Sequence, residues 1–191
     1  MTQTRSWREM YAEIAERLER QTGSDVAAWN ARIAAEGFGD ERSLRDWLTR
    51  QGVEGYGRQM LVYERFGYPA FLTAEPDALI DGQYADRPEL RPILDAILLQ
   101  AADLGPVTIQ ARKTYVTFLT PKRTFASIEP TTRTRVDLGL RLPDAPPAGR
   151  LLEATSMGQS AVTHRIALSR VDEVDGEVVG WWLRRAYEAN A

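Results

Sequence analysis

Cysteine is absent from the 191 residues. Disulfides, thiol nucleophiles and thiolate metal ligands are therefore excluded. Histidine occurs once, at His164, so no paired-histidine zinc motif can be assembled. No apolar run approaches the about 18 residues a membrane span requires, and no membrane association is expected. The opening residues MTQTRSWREM lack an apolar signal region, and the cytoplasm is the expected compartment. Neither a phosphate loop nor a dinucleotide fingerprint is present, and no cofactor is expected. Lysine is scarce as well: only Lys113 and Lys122 stand among 24 basic residues. Arginine suits bidentate anion recognition, although base composition alone would produce the same bias.

What is present suffices for a real core. A chain of this size buries about 70% of its unfolded surface. Net charge is −3, but it is uneven. Residues 1–104 carry 12 basic and 18 acidic groups, while residues 105–170 carry 10 and 4. A basic segment inside an acidic chain reads in two ways. It is an anion-binding surface, or it pairs with the acidic helices around it.

The spacing predicts helices first. Ser6 and Glu9 form a capping box ahead of Trp7, Met10, Tyr11, Ile14 and Leu18. Ser24 is placed to cap a second helix with Val26, Trp29 and Ile33, and Asp40 a third with Leu44, Trp47 and Leu48. A fourth spans about Tyr56–Phe66, with Met60, Leu61 and Tyr63 inward. Residues 1–68 thus read as a small helical bundle with Trp7, Trp29 and Trp47 in its core. Arg42, Arg45 and Arg50 are too diluted by Glu41 and Asp46 for a DNA-reading helix. Residues 69–86, rich in proline and glycine, read as a linker with a short helix near Glu75–Ile80.

Residues 87–191 read as an α+β domain. Asp86 is placed to cap a helix whose apolar face is Leu90, Ile93, Leu94, Ile97 and Leu98. Strands follow at about Val107–Ala111, Thr114–Leu119, Thr124–Glu129 and Arg133–Leu142. A short strand near Arg150–Ala154, a polar loop Thr155–Ser160 and a last strand Val162–Ser169 come next, and Asp172 is placed to cap a final helix. Strands in succession favour an antiparallel sheet packed with helices. Along Arg133–Leu142, Val136, Leu138, Leu140 and Leu142 face one way, and Arg133, Arg135, Asp137, Gly139 and Arg141 the other.

Two families are similar to these halves. Trp7, the Thr22-Gly23-Ser24 turn, Trp29 and Leu44–Trp47–Leu48 ahead of Gly52 resemble the helical bacterial domain of unknown function 4287. Arg112-Lys113-Thr114-Tyr115-Val116, Phe125-Ala126-Ser127-Ile128-Glu129-Pro130, Leu138-Gly139-Leu140-Arg141-Leu142, Thr163-His164-Arg165-Ile166 and Trp182-Leu183 before Ala186-Tyr187 resemble domain of unknown function 5655. The second resemblance implies company with nuclease-like modules, which points toward nucleic acid by analogy.

The chemistry that remains is a charged face. Arg112, Arg123, Arg133, Arg135, Arg141 and Arg165 are expected to share it, with Tyr115 and Phe125 interleaved. Arginine with exposed rings on an open sheet holds single-stranded nucleic acid or another anionic ligand. Its rival is coverage of that face, with Trp181 of the final helix docked there. Glu129, Asp137 and Glu153 are read as partners for arginines. His164 shares an apolar side with Val162, Ile166 and Leu168 and is read as structural; an enzyme using it with a nearby carboxylate is the alternative. A third reading is a protein-interaction module whose bundle docks a partner. Gly158-Gln159-Ser160-Ala161-Val162 lacks the second glycine of a nucleophile elbow. Asp172, Asp175 and Gly176 lack the first carboxylate of a calcium loop.

Overall fold

The computed structural model describes residues 2–4, 7–155, 157 and 161–191. The chain divides into two compact units: Ser6–Ala74, and Met1–Arg5 together with Glu75–Ala191.

The helical unit contains α1 (Trp7–Thr22), α2 (Val26–Glu36), α3 (Glu41–Arg50), α4 (Gly55–Phe66) and the short α5 (Ala70–Thr73). Local chemistry sets the starts. Asp25, not Ser24, caps α2 by accepting from the Ala28 amide, and Asp40 caps α3 by accepting from Ser43. The Ser6 half of the expected capping box lies outside the described residues. Leu18, Trp29, Ile33, Leu44, Leu48, Val53, Met60, Leu61 and Val62 form the core. A Cβ at Gly57 would stand 3.1 Å from Leu18 Cδ1, so the glycine lets α4 approach α1 closely. Trp29 and Trp47 pack edge to face at 6.1 Å, as expected of core residues. Trp7 does not join them; it packs on Tyr11 and Tyr68. Tyr63 is likewise half-exposed, and Val62 takes the inward place.

The second unit is built on a seven-stranded sheet in the order β1-β2-β3-β4-β5-β7-β6. Its strands are β1 (Thr2–Thr4), β2 (Val107–Ala111), β3 (Val116–Leu119), β4 (Thr124–Thr132), β5 (Arg135–Leu140), β6 (Leu152–Glu153) and β7 (His164–Leu168). Strands β2 to β7 pair antiparallel, as the succession of strands implies. Strand β1 pairs parallel with β2 and had no signal in the sequence. Helices α6 (Pro76–Tyr84), α7 (Arg91–Ala102) and α8 (Trp181–Asn190) accompany the sheet. Their buried Ile80, Tyr84, Ile93, Leu94, Ile97, Ala101, Leu183 and Ala186 share one core with Val116, Phe118, Ile128, Leu138, Leu140 and Ile166 of the strands.

Several starts differ from the expectation. The stretch read as a linker is mostly α5 and α6, and Ile80 and Tyr84 are core residues of the sheet unit. Asp86 caps no helix; it ion-pairs with Arg87, whose guanidinium holds its carboxyl below the usual range. A 3-10 turn at Pro88–Leu90 leads into α7 instead. Asp172 lies in a 3-10 turn at Val171–Glu173, and Asp175 caps the π-helical turn Gly176–Gly180 that runs into α8.

One register shift redirects a ring. Ala126 pairs with Phe118, but Thr124 pairs with Leu119, so Phe125 is the extra residue of a bulge. Simple alternation would put Phe125 opposite to Ala126, among the arginines. The bulge turns it inward instead, where it is fully buried between Phe118 at 6.1 Å and Tyr187 at 5.5 Å. Phe125→Ala is therefore expected to cost about 3–5 kcal/mol, the range for emptying a packed aromatic site. Urea unfolding checks this, and a loss below about 1 kcal/mol would place the ring on the solvent side.

Candidate anion-binding face

The registers define the face turned away from α6, α7 and α8. Thr117 stands opposite Gln110, Ser127 opposite Thr117, Gly139 opposite Ser127, and Arg165 opposite Gly139. One row of side chains thus crosses five strands on this side. The next row brings Glu129 opposite Asp137, and Asp137 opposite Ala167. Polar groups on this face are largely buried: Gln110, Thr117, Ser127 and Asp137 are all less than a tenth exposed.

Asp137 is the centre of the arrangement. It is fully buried, and both carboxylate oxygens are engaged. Oδ2 accepts from Thr131 Oγ1 at 2.6 Å and from Arg135 Nη2 at 3.1 Å. Oδ1 accepts from Arg165 Nη1 at 3.1 Å. A buried carboxylate without such partners would cost several kcal/mol of desolvation; charge-assisted bonds from two guanidinium groups offset it. The arginine side chains are 33% and 18% exposed, so each reaches from the surface to a charge beneath it.

Among the described residues, three polar atoms on this face are buried without a partner: Arg135 Nε, Arg165 Nε and Ser127 Oγ. Gly139 lies between Ser127 and Arg165 in the same row. A Cβ at Gly139 would come within 2.9 Å of the Met157 thioether and 3.1 Å of Val162 Cγ2. Glycine is therefore required where these two side chains pack down onto the sheet.

The residues expected to share a basic face separate into groups. Arg135 and Arg165 meet at Asp137. Arg112, in the β2–β3 turn, donates to Gln110 Oε1 at 2.8 Å, and Tyr115 of the same turn is half-buried. Arg133 is exposed in the β4–β5 turn. Arg123 sits at the other end of the strands, exposed in the β3–β4 turn, and the half-buried Arg141 follows β5 at that end. Phe125 faces the core, as described above. The interleaving of rings and arginines is thereby corrected: of the two aromatic residues, only Tyr115 retains any exposure. Internal pairing does occur: Arg135 and Arg165 meet Asp137 of the sheet itself, and Arg150 of the same basic segment meets Glu173 and Asp175 ahead of α8.

His164 lies on the helix-facing side in register with Leu140 and is 5% exposed. Its Nδ1 is 2.9 Å from Thr163 Oγ1. Glu153 stands opposite it on the edge strand, but the two make no hydrogen bond among the described residues. Gly158, Gln159 and Ser160 of the elbow-like motif lie outside the described residues. Asp172 pairs with Arg170. No helix is long and apolar enough to cross a membrane among the described residues.

Alternation along β5 exposed Arg135, Asp137 and Gly139 as neighbours in the sequence. Ser127 and Thr131 were missed, because isolated hydroxyl residues in a strand carry no signal of their own. The Arg165 contact needed the β5–β7 register, which skips β6 and is not visible locally.

The family model described as Domain of unknown function (DUF5655) matches residues 80–190. The chain belongs to this family. The matched span contains Ser127, Arg135, Asp137, Gly139 and Arg165 and begins within α6. It does not reach the helical unit. No curated protein and no solved structure matches the chain.

Asp137→Ala would leave two guanidinium groups around an empty, buried position. It is expected to destabilise the fold by about 3–5 kcal/mol. Arg135→Ala should cost less, because its partner keeps Arg165 and Thr131. Denaturant titration of both variants gives the comparison; equal losses would contradict Asp137 as the organising charge.

Proposed function

We propose that the sheet unit is a non-enzymatic binding module for a compact anion, a carboxylate or phosphate group, held by Arg135 and Arg165. The observation that carries this reading is the pair of buried Nε–H donors with no acceptor among the described residues. A guanidinium has five donors in a fixed fork, and an unmet buried donor costs about 1–3 kcal/mol. An acceptor with several oxygens satisfies both at once. Glu129 adds a second carboxylate to this face in register with Asp137. The attraction for an anion therefore rests on unmet donors rather than on net charge.

Single-stranded nucleic acid is the weaker occupant. Base stacking needs exposed rings, and the bulge has buried Phe125. Catalysis through His164 is disfavoured by its burial on the opposite side of the sheet and its bond to Thr163.

Calorimetric titration with inorganic phosphate and with succinate, against chloride at equal ionic strength, tests the reading. Saturable heat is expected for at least one of them, and Arg165→Gln should weaken it about tenfold, the range of one charge-assisted bond. Absence of saturable heat from both anions would remove the proposal. A short oligothymidylate is the control. If it binds with log affinity falling about 0.7 per phosphate contact against log salt, an open nucleic-acid face replaces the compact-anion site.

A further inference from the structure

A second constellation lies in the helical unit, independent of the sheet. Glu64 of α4 has both carboxylate oxygens engaged by neutral donors. Oε1 accepts from the Tyr68 hydroxyl at 2.7 Å, and Oε2 from Asn30 Nδ2 of α2 at 3.1 Å. In this unit Arg20 pairs with Glu16 and Arg45 with Glu41, and among the described residues no basic side chain pairs with Glu64. Among the described residues, this half-buried carboxylate thus has no basic partner. Its influence is felt nearby: the Tyr11 and Tyr68 phenols are pushed up, first by burial and then by the Glu64 carboxylate.

Aromatic rings gather at the same place. Tyr11 meets Trp7 at 5.8 Å, Trp7 meets Tyr68 at 4.8 Å, and Tyr68 meets Tyr63 at 5.5 Å. The rings are inclined to one another by 64°, 64° and 49° rather than stacked. All four are half-buried, so each keeps part of its surface in solvent. Ring faces carry negative potential, and two of these rings, Tyr11 and Tyr68, adjoin a carboxylate that has no basic partner among the described residues. That combination attracts a cation with apolar substituents, because methyl groups contact rings while the charge is held by the faces and the carboxylate. A bare ammonium group is more strongly hydrated and gains less from the rings.

We propose that the ring cluster Trp7, Tyr11, Tyr63 and Tyr68, which meets Glu64 through Tyr11 and Tyr68, binds a methylated ammonium cation. The cation is either a free small molecule or the methylated end of a lysine side chain; the recognising chemistry is the same. The test uses the full chain with isotope-labelled tryptophan, reading the Trp7 indole N–H during titration. Tetramethylammonium chloride should give a saturable shift at about millimolar concentration, and sodium chloride at equal ionic strength should not. N-acetyl-trimethyllysine amide tighter than tetramethylammonium favours the side-chain source, and the reverse favours the small molecule. N-acetyl-lysine amide should bind at least about fivefold more weakly than its trimethyl form. Glu64→Gln keeps an acceptor for Tyr68 and removes the charge; affinity should drop about tenfold. Where that variant fails to fold by circular dichroism, Trp7→Leu, read at a labelled Tyr68 ring, replaces it with the same expectation. A Trp7 shift that tracks sodium as closely as tetramethylammonium, or a Glu64→Gln protein that folds and binds unchanged, overturns the proposal.

Discussion

Burying Asp137 is the constraint that shapes the sheet unit. An ionised carboxylate with no exposed surface must be surrounded by donors, and those donors must come from more than one strand. Arg135 reaches it from two residues away on β5, Thr131 from the end of β4, and Arg165 from β7. A one-residue slip of β7 would carry Arg165 to the helix-facing side and leave Asp137 with a single guanidinium. The ion cluster and the hydrophobic alternation of Val136, Leu138 and Leu140 therefore specify one register together. Asp137 contributes selection among pairings as well as local attraction.

The proposed binding of an anion rests on the same geometry. Two arginines directed at one carboxylate offer it only their Nη groups, and their Nε–H donors remain unmet. Ser127, in the row of Gly139 and Arg165, adds an unmet hydroxyl among the described residues. Gly139 keeps the row low enough for Met157 and Val162 to pack on it. A protein that needed this cluster only for stability would gain by satisfying those donors internally, and this is the ground of the proposed anion site. The family match spans this whole arrangement and leaves the helical unit outside it.

Much of the layout was legible in the sequence, for a physical reason. Period-two alternation along β5 and β7 is dictated by which side is buried, so the sides of Arg135, Asp137, His164 and Arg165 follow from residue type alone. The helical core followed from periodicity in the same way, through Leu18, Trp29, Ile33, Leu44 and Leu48. Long-range geometry was not legible. The Phe125 bulge depends on how β3 and β4 align, and no local pattern announces an extra residue. Strand β1 exists by pairing with β2, more than a hundred residues away in the chain, and three polar residues gave no sign of it. Trp7 was placed in the core by its helical spacing, but Tyr68, beyond the end of α4, supplied a partner outside it.

The most direct measurement of the central claim is the arginine side-chain Nε–H spectrum during phosphate titration. The account predicts that the Arg135 and Arg165 Nε–H signals shift together and become protected from exchange, while those of Arg123 and Arg133 in the turns stay in place. Shifts confined to Arg123 and Arg133, with Arg135 and Arg165 unmoved at saturating phosphate, would contradict it.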